Sequence, residues 1–284
     1  MTRLILGEDF VALVARWQLH PLHLYLVRRY LDLDDLVLPL EGQAYGRTLQ
    51  QLGEVAQREA PTMEELGILV DDEVDPGLVQ ALRVLTKPFL WVDSLWFPDF
   101  GSDHAWRAVA AITEGQRVVL GVQRPGETER YGGPLTVEVH DQVPLSQVLL
   151  PTFPPAPPGN RGAVRVPVSS FRTQEQADDP PDSMMQQVTQ SRGSSGDRLV
   201  QAYEEIGRAE HVRGGQLAAN LRDRHGRVRR SEVVRWFDNA EPDGRYLDHR
   251  ERGSTGEPLC VLAPADARAI ATKVDQLVAS VRGG

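Results

Sequence analysis

Two runs of period-two hydropathy, each closed by a segment of helical period, constrain this chain more than anything else in it. The first run reads as strands at Phe89–Phe97, Ala105–Thr113, Arg117–Gln123 and Pro134–His140, followed by a short helix, Pro144–Leu150. The second reads as strands at Gln216–Arg222, Val228–Phe237, Arg245–Arg250 and Pro258–Leu262. A closing helix follows, with Ala267, Ile270, Val274, Leu277, Val278 and Val281 at helical spacing. Strands joined by turns, with no helix between them, pair mainly antiparallel. Pro134-Leu135-Thr136-Val137 and Pro258-Leu259-Cys260-Val261 occupy matching places before the two helices. The expected fold class is therefore α+β: a central, mainly antiparallel sheet with a pseudo-two-fold repeat, flanked by helices.

Between the runs, Pro151–Gly159 is a stiff, extended, proline-rich connector, and Arg172–Gly196 is a polar stretch. The helix Asp197–Arg208 opens the second half, with Leu199, Val200, Tyr203 and Ile206 on one face. At the other end of the chain, Leu4–Leu6 reads as a short strand. Phe10, Leu13, Val14 and Trp17 at helical spacing predict a helix that Pro21 ends. Leu22–Leu40 has mixed periodicity and fits either element type. Thr62-Met63-Glu64-Glu65 has the spacing of a capping box, and Asp75-Pro76 opens a helix with the stripe Leu78, Leu82 and Leu85.

Composition narrows the function. A net charge of −9 argues against a nucleic-acid surface. The exception, Arg222, Arg224, Arg227, Arg229 and Arg230, surrounds a glycine turn and reads as a solvated hairpin tip. No apolar run approaches the ~18 residues of a membrane span, and the first residues turn acidic too early for a signal peptide. A cytoplasmic location is expected. Cys260, the only cysteine, lies in an apolar run and suits packing better than chemistry.

Searching for catalytic patterns yields little. No glycine-rich phosphate loop occurs, and Ser191–Gly196 lacks the strand and glycine spacing of a nucleophile elbow. Pro21 keeps His20 and His23 off a common helix face. His104, His140 and His249 each adjoin an aspartate, but neighbours in a strand point to opposite sides. The chain is expected to be no enzyme, with no catalytic residue, cofactor or metal. What does stand out is aromatic: Trp91, Trp96, Phe97, Phe100 and Trp106 crowd around the loop between the first two strands. Trp91 and Trp106 suit a sheet core; Trp96, Phe97 and Phe100 suit anchors for a protein partner. A small-molecule or scaffold domain, with Trp106 and Trp236 lining a pocket, is the alternative.

The order and spacing of several segments carry a resemblance. Arg229-Arg230-Ser231, Trp236-Phe237-Asp238 and Gly244-Arg245-Tyr246 precede Val261-Leu262-Ala263-Pro264-Ala265-Asp266 and an amphipathic helix. Asp75-Pro76, Leu82, Leu85 and Lys87-Pro88 precede the first strand, and Arg117-Val118-Val119-Leu120 follows it. Together they resemble the EspG family of ESX (type VII) secretion-associated proteins of actinobacteria. The resemblance implies one EspG-like domain over 1–284, with halves 1–150 and 162–284 joined by linker 151–161. It implies two small helical bundles and a cytosolic chaperone that binds the tip of the PPE subunit of a PE–PPE heterodimer, or a similar helical secretion substrate. Such a chaperone keeps its client soluble and gives system specificity. Self-association into a weak homodimer stays open; nucleic acid and membrane are not expected partners. Client contacts transfer to Leu95, Trp96, Phe97, Phe100 and His104 at the loop. In the second half they transfer to Val200, Tyr203, Gln216 and Asn220.

Overall fold

A computed structural model describes residues 12–45, 48–101, 104–113, 115–127, 132–171 and 195–283. The expected strand Leu4–Leu6 and residues 172–194 of the polar stretch lie outside them.

The first half contains β1 (Ala12–Leu19), α1 (Pro21–Tyr30), α2 (Leu49–Glu65), a small ribbon of β2 (Leu69–Val70) and β3 (Glu73–Val74), and α3 (Pro76–Thr86). The meander β4 (Leu90–Phe97), β5 (Trp106–Ile112), β6 (Val118–Pro125) and β7 (Gly132–Asp141) follows, then α4 (Leu145–Leu149). The second half contains β8 (Val164–Pro167), α5 (Ser195–Gly207), β9 (His211–Arg222), β10 (Val228–Arg230), β11 (Val234–Asn239), β12 (Arg245–Arg252), β13 (Pro258–Pro264) and α6 (Ala267–Arg282).

The main sheet has eleven strands, all pairings antiparallel, in the order β1-β7-β6-β5-β4-β9-β11-β12-β13-β8, with β10 on β9. Read from either end, the order is the same: outer strand, meander, central strand. The two halves meet where β4 pairs β9, from Leu90↔Leu221 to Phe97↔Gly214. The sequence echo falls on β7 and β13, which hold equivalent places and lie 258 − 134 = 124 residues apart.

Alternation assigns side chains to two faces. On the upper face, α1, α2 and α3 cover the first half over Trp17, Trp91, Val109, Val119 and Val137. On the same face, α5 covers the outer second half over Val164, Tyr246 and Leu262. The lower face is sealed across both halves by α4 and α6, over Val92, Trp96, Leu120, Leu217 and Trp236. Burial of such a side chain stabilises by roughly 1.5–3 kcal/mol. Among the described residues, no helix is long and apolar enough to cross a membrane.

Several expectations are corrected. Phe10–Trp17 is not a helix: its described part is β1. A bulge between Leu13 and Ala15 breaks the alternation and imitates helical spacing. Pro21 does not end a helix but opens α1, at the first turn where its missing N–H costs nothing. Leu22–Leu40, left open above, is α1 up to Tyr30 and irregular beyond. The capping box belongs to Thr48 and Gln51, whose side chains accept from each other's backbone N–H at 3.3 and 3.2 Å. Thr62–Glu65, with the same spacing, is the last turn of that helix. Val228–Phe237 is two strands, β10 and β11, broken at Ser231–Val233, where the Ser231 hydroxyl accepts from Ala219 N–H. Asp75 caps α3 as expected, accepting from Leu78 N–H at 2.9 Å. Leu78, Leu82 and Leu85 are fully buried.

A polar cluster pins the central pair. Buried Asp93 on β4 accepts from Asn220 Nδ2 on β9 at 2.6 Å and from Arg230 Nη2 on β10 at 2.9 Å. Asp93→Ala leaves the buried Asn220 Nδ2 without its acceptor, while Arg230, 43% exposed, keeps Asn220 Oδ1 and water; the expected cost is about 1–3 kcal/mol. A urea titration checks it.

Candidate partner-binding groove

Between the helices of the two halves, the middle of the upper face is open. Register places Leu95, Gln216, Arg235 and Asp248 in one row across β4, β9, β11 and β12. Phe97, Gly214, Phe237 and Tyr246 form the next row. One wall stands over β5, where buried Arg107 donates to Glu41 Oε1 at 3.2 Å. The other is α5, whose Tyr203 hydroxyl donates to Asp248 Oδ1 at 2.7 Å. From β5 to β12 are four strand intervals, roughly 19 Å at ~4.8 Å each. That spacing, measured between strand axes, is of the order of one α-helix of ~10–12 Å diameter with its side chains.

At one end of the groove, aromatic rings step across the strands. Phe100 lies 5.8 Å from His211, His211 4.3 Å from Phe237, and Phe237 5.9 Å from Tyr246, centroid to centroid. His211 is oriented by a 2.7 Å hydrogen bond between Nδ1 and Asn239 Oδ1. Phe100, 54% exposed, lies over Gly214, where an added Cβ would come within 2.7 Å of its ring. Asp99 Oδ1 accepts from Gly101 N–H at 2.8 Å and folds the loop.

The nine residues expected to touch a partner divide here. Leu95, Phe97, Phe100, Tyr203 and Gln216 border or floor the groove, half-buried or exposed. His104 is half-buried at the loop's far end. Three are corrected. Trp96 points to the lower face and is core, stacked on Trp106 at 5.6 Å and 6.1 Å from Trp236. Val200, 1% exposed, anchors α5, and Asn220 is spent on Asp93. The sequence reading passed over Arg235, Phe237 and His211. Arg235 and Phe237 share parity with each other, but only the β9–β11 register places them beside Gln216 and Gly214.

Trp236 does not line a pocket: it is 1% exposed, between Phe153, Trp96 and the Arg245 guanidinium. His140 and His249 bond Glu138 and Glu251, two residues away on their own side of the strand, not the adjacent aspartates. Burial, reinforced by the bond to the Asp248 carboxylate, pushes the Tyr203 phenol well above the usual tyrosine range. Burial also pushes the Cys260 thiol up, away from thiolate.

Burial raises Tyr246 to about 12; Arg161 N–H opposes it and the Asp243 carboxylate adds to it. A raised folded pKa means stability held below pH 10 and lost as pH climbs through 12. Tyr246→Phe should flatten that alkaline loss in denaturation midpoints measured against pH. The trio at the loop should separate as well. Trp96→Ala is expected to cost about 3–5 kcal/mol, whereas Phe100→Ala leaves the melting temperature nearly unchanged.

Comparison with known proteins adds identity to this geometry. No curated protein sequence matches the chain. Among solved structures, it is similar to the Mycobacterium tuberculosis type VII secretion system chaperone EspG5, solved in complex with the PE25–PPE41 dimer. That likeness has a TM-score of 0.62 at 17% identity and covers 93% of this chain and 96% of the other. The sequence profile of the EspG family matches residues 20–276, nearly the whole of both halves and the groove between them. The chain belongs to the EspG family.

Proposed function

We propose that this chain is a type VII secretion chaperone that binds a PE–PPE-type heterodimer through the tip of the PPE subunit. It keeps that client soluble in the cytoplasm and matches it to its secretion system. The observation that carries the reading is the row of exposed and half-buried side chains, Leu95, Gln216, Arg235 and Asp248, across the middle of the upper face, in a chain of the EspG family with the fold of EspG5. EspG5 was solved with the PE25–PPE41 dimer. A helical tip laid in this groove meets Leu95 and Phe97 on one side, Tyr203 on the other and Phe100 at the end. This is side-chain recognition of a helix by a groove. No backbone edge is offered there, because β4, β9 and β11 are paired on both sides.

Division into halves 1–150 and 162–284, with 151–161 as the joint, belongs to the same reading, the groove being the seam between them. The reading assigns the chain no catalytic step.

Co-expression with a PE–PPE pair from the same genome tests the proposal. A soluble complex of the three chains by size exclusion is the expected outcome, and a client that aggregates as it does alone counts against it. Phe97→Ala with Phe100→Ala should weaken the complex by about 2 kcal/mol or more, as truncated interface anchors do. Unchanged affinity by calorimetry would remove the loop from the client site.

A further inference from the structure

The mirrored strand order gives each half a cleft on the upper face, beneath the helix that precedes its central strand. In the second half, that helix is α5, and the cleft of about 420 Å3 is lined by Tyr203, Arg235, Asp248, Arg250 and Cys260. Its counterpart lies beneath α3, against β1, β6 and β7, and is twice as large, about 850 Å3. The two differ in chemistry. The floor of the larger cleft is aliphatic and aromatic: Ala15, Trp17, Ala81, Val119 and Val139. Phe89 and Val14 line it as well, and they are 59% and 52% exposed. Among the described residues, its rim carries Arg83, Lys87 and Arg117 against a single acid, Asp141, on a chain whose net charge is −9. Asp141 is 3.6 Å from Arg117, and neither Arg83 nor Lys87 forms an ion pair with a described residue. Glu114, on the adjoining turn, lies outside the described residues.

We propose that this first-half cleft is a second docking site, which takes an acidic, apolar-faced helical segment of another protein. Three observations select that occupant. Large apolar side chains left more than half exposed inside a concave surface mark a binding site and not a random scatter. The same openness is wrong for a small molecule, whose pocket encloses most of its surface. The excess of positive charge at the rim, on an otherwise acidic protein, selects carboxylates on the incoming segment. Recognition runs through side chains, since β6 and β7 are paired on both sides and the bulge between Leu13 and Ala15 interrupts the free edge of β1, so a helix face suits the floor. The site is separate from the proposed client groove, which lies beyond β5.

Fluorescence anisotropy with a defined probe tests it: a labelled peptide of about 16 residues, with leucine at helical spacing and glutamate elsewhere. The glutamate peptide should bind, and raising salt from about 50 to about 300 mM should weaken it. Its glutamine counterpart should bind at least about tenfold more weakly. Arg83→Glu with Lys87→Glu, both exposed, should lower affinity for the glutamate peptide by about tenfold or more, as should Phe89→Ser. Unchanged melting temperatures show that the variants fold. Arg235→Glu, in the other groove, should leave peptide binding unchanged. Equal binding of the glutamine peptide, unchanged binding to Arg83→Glu with Lys87→Glu, or loss with Arg235→Glu would each overturn the proposal. So would light scattering that shows a dimer dispersed by the Arg83→Glu, Lys87→Glu pair, because the cleft would then be a self-interface. The inference does not rest on the PE–PPE reading. That pair of changes leaves Phe97 and Phe100 intact, so client capture and peptide binding fail independently.

Discussion

Everything distinctive here depends on β4 pairing with β9. Without that ladder, the main sheet would be two separate units, of five strands and of six, each with one face packed by its own helices. With it, the lower face becomes a continuous core that α4 and α6 share, and the upper face acquires a gap at its middle. Backbone hydrogen bonds alone do not specify which two strands should meet. Asp93 adds that specificity, because its carboxylate is satisfied only when β9 and β10 supply Asn220 and Arg230. An unpaired buried carboxylate penalises any other pairing. The groove is thus a by-product of joining two similar units back to back. Each unit carries its helices to its own side, and the join is left bare.

A second polar cluster fixes the crossing between the halves. Buried Asp238 accepts from Arg245 Nε and Arg213 Nε, both at 2.6 Å. The same guanidinium groups donate to the carbonyls of Pro154 and Pro155 at 2.7 and 2.6 Å. Prolines have no N–H to offer a sheet, so their carbonyls are the backbone groups by which the proline positions of the connector can be held. Fork-shaped arginines that bond a carboxylate and a carbonyl at once suit that task. Gly244 lets the connector come close: an added Cβ there would lie 2.5 Å from the Pro157 carbonyl oxygen.

Most of the sheet is legible in sequence because apolar runs of strand length bounded by turns are a strong signal, although only β7 alternates clearly, β4 to β6 being buried on both faces. It failed at β1, where one bulge made Leu13, Val14 and Trp17 look helical, and at β8, whose four residues are too few to show a period. The groove was legible in part. The place of Leu95, Phe97 and Phe100 at the loop is readable from sequence, and the register puts the first two along the groove. Trp96 was grouped with them, although it stands one residue out of phase and so belongs to the opposite face. Arg235 and His211 were out of reach, because their relation to the loop exists only through strands more than a hundred residues away in sequence.

An open sheet of this width has two ends where unpaired backbone groups could recruit another chain, and both ends are blunted. At one, the bulge between Leu13 and Ala15 interrupts the regular spacing that an added strand would need. At the other, β8 runs for four residues and finishes at Pro167, which has no N–H to lend, with Arg165 in the middle. The architecture that builds a wide platform from two copies of one plan therefore also stops it from polymerising edge to edge. Among the described residues, a third copy of the plan would meet only an interrupted edge or a short one.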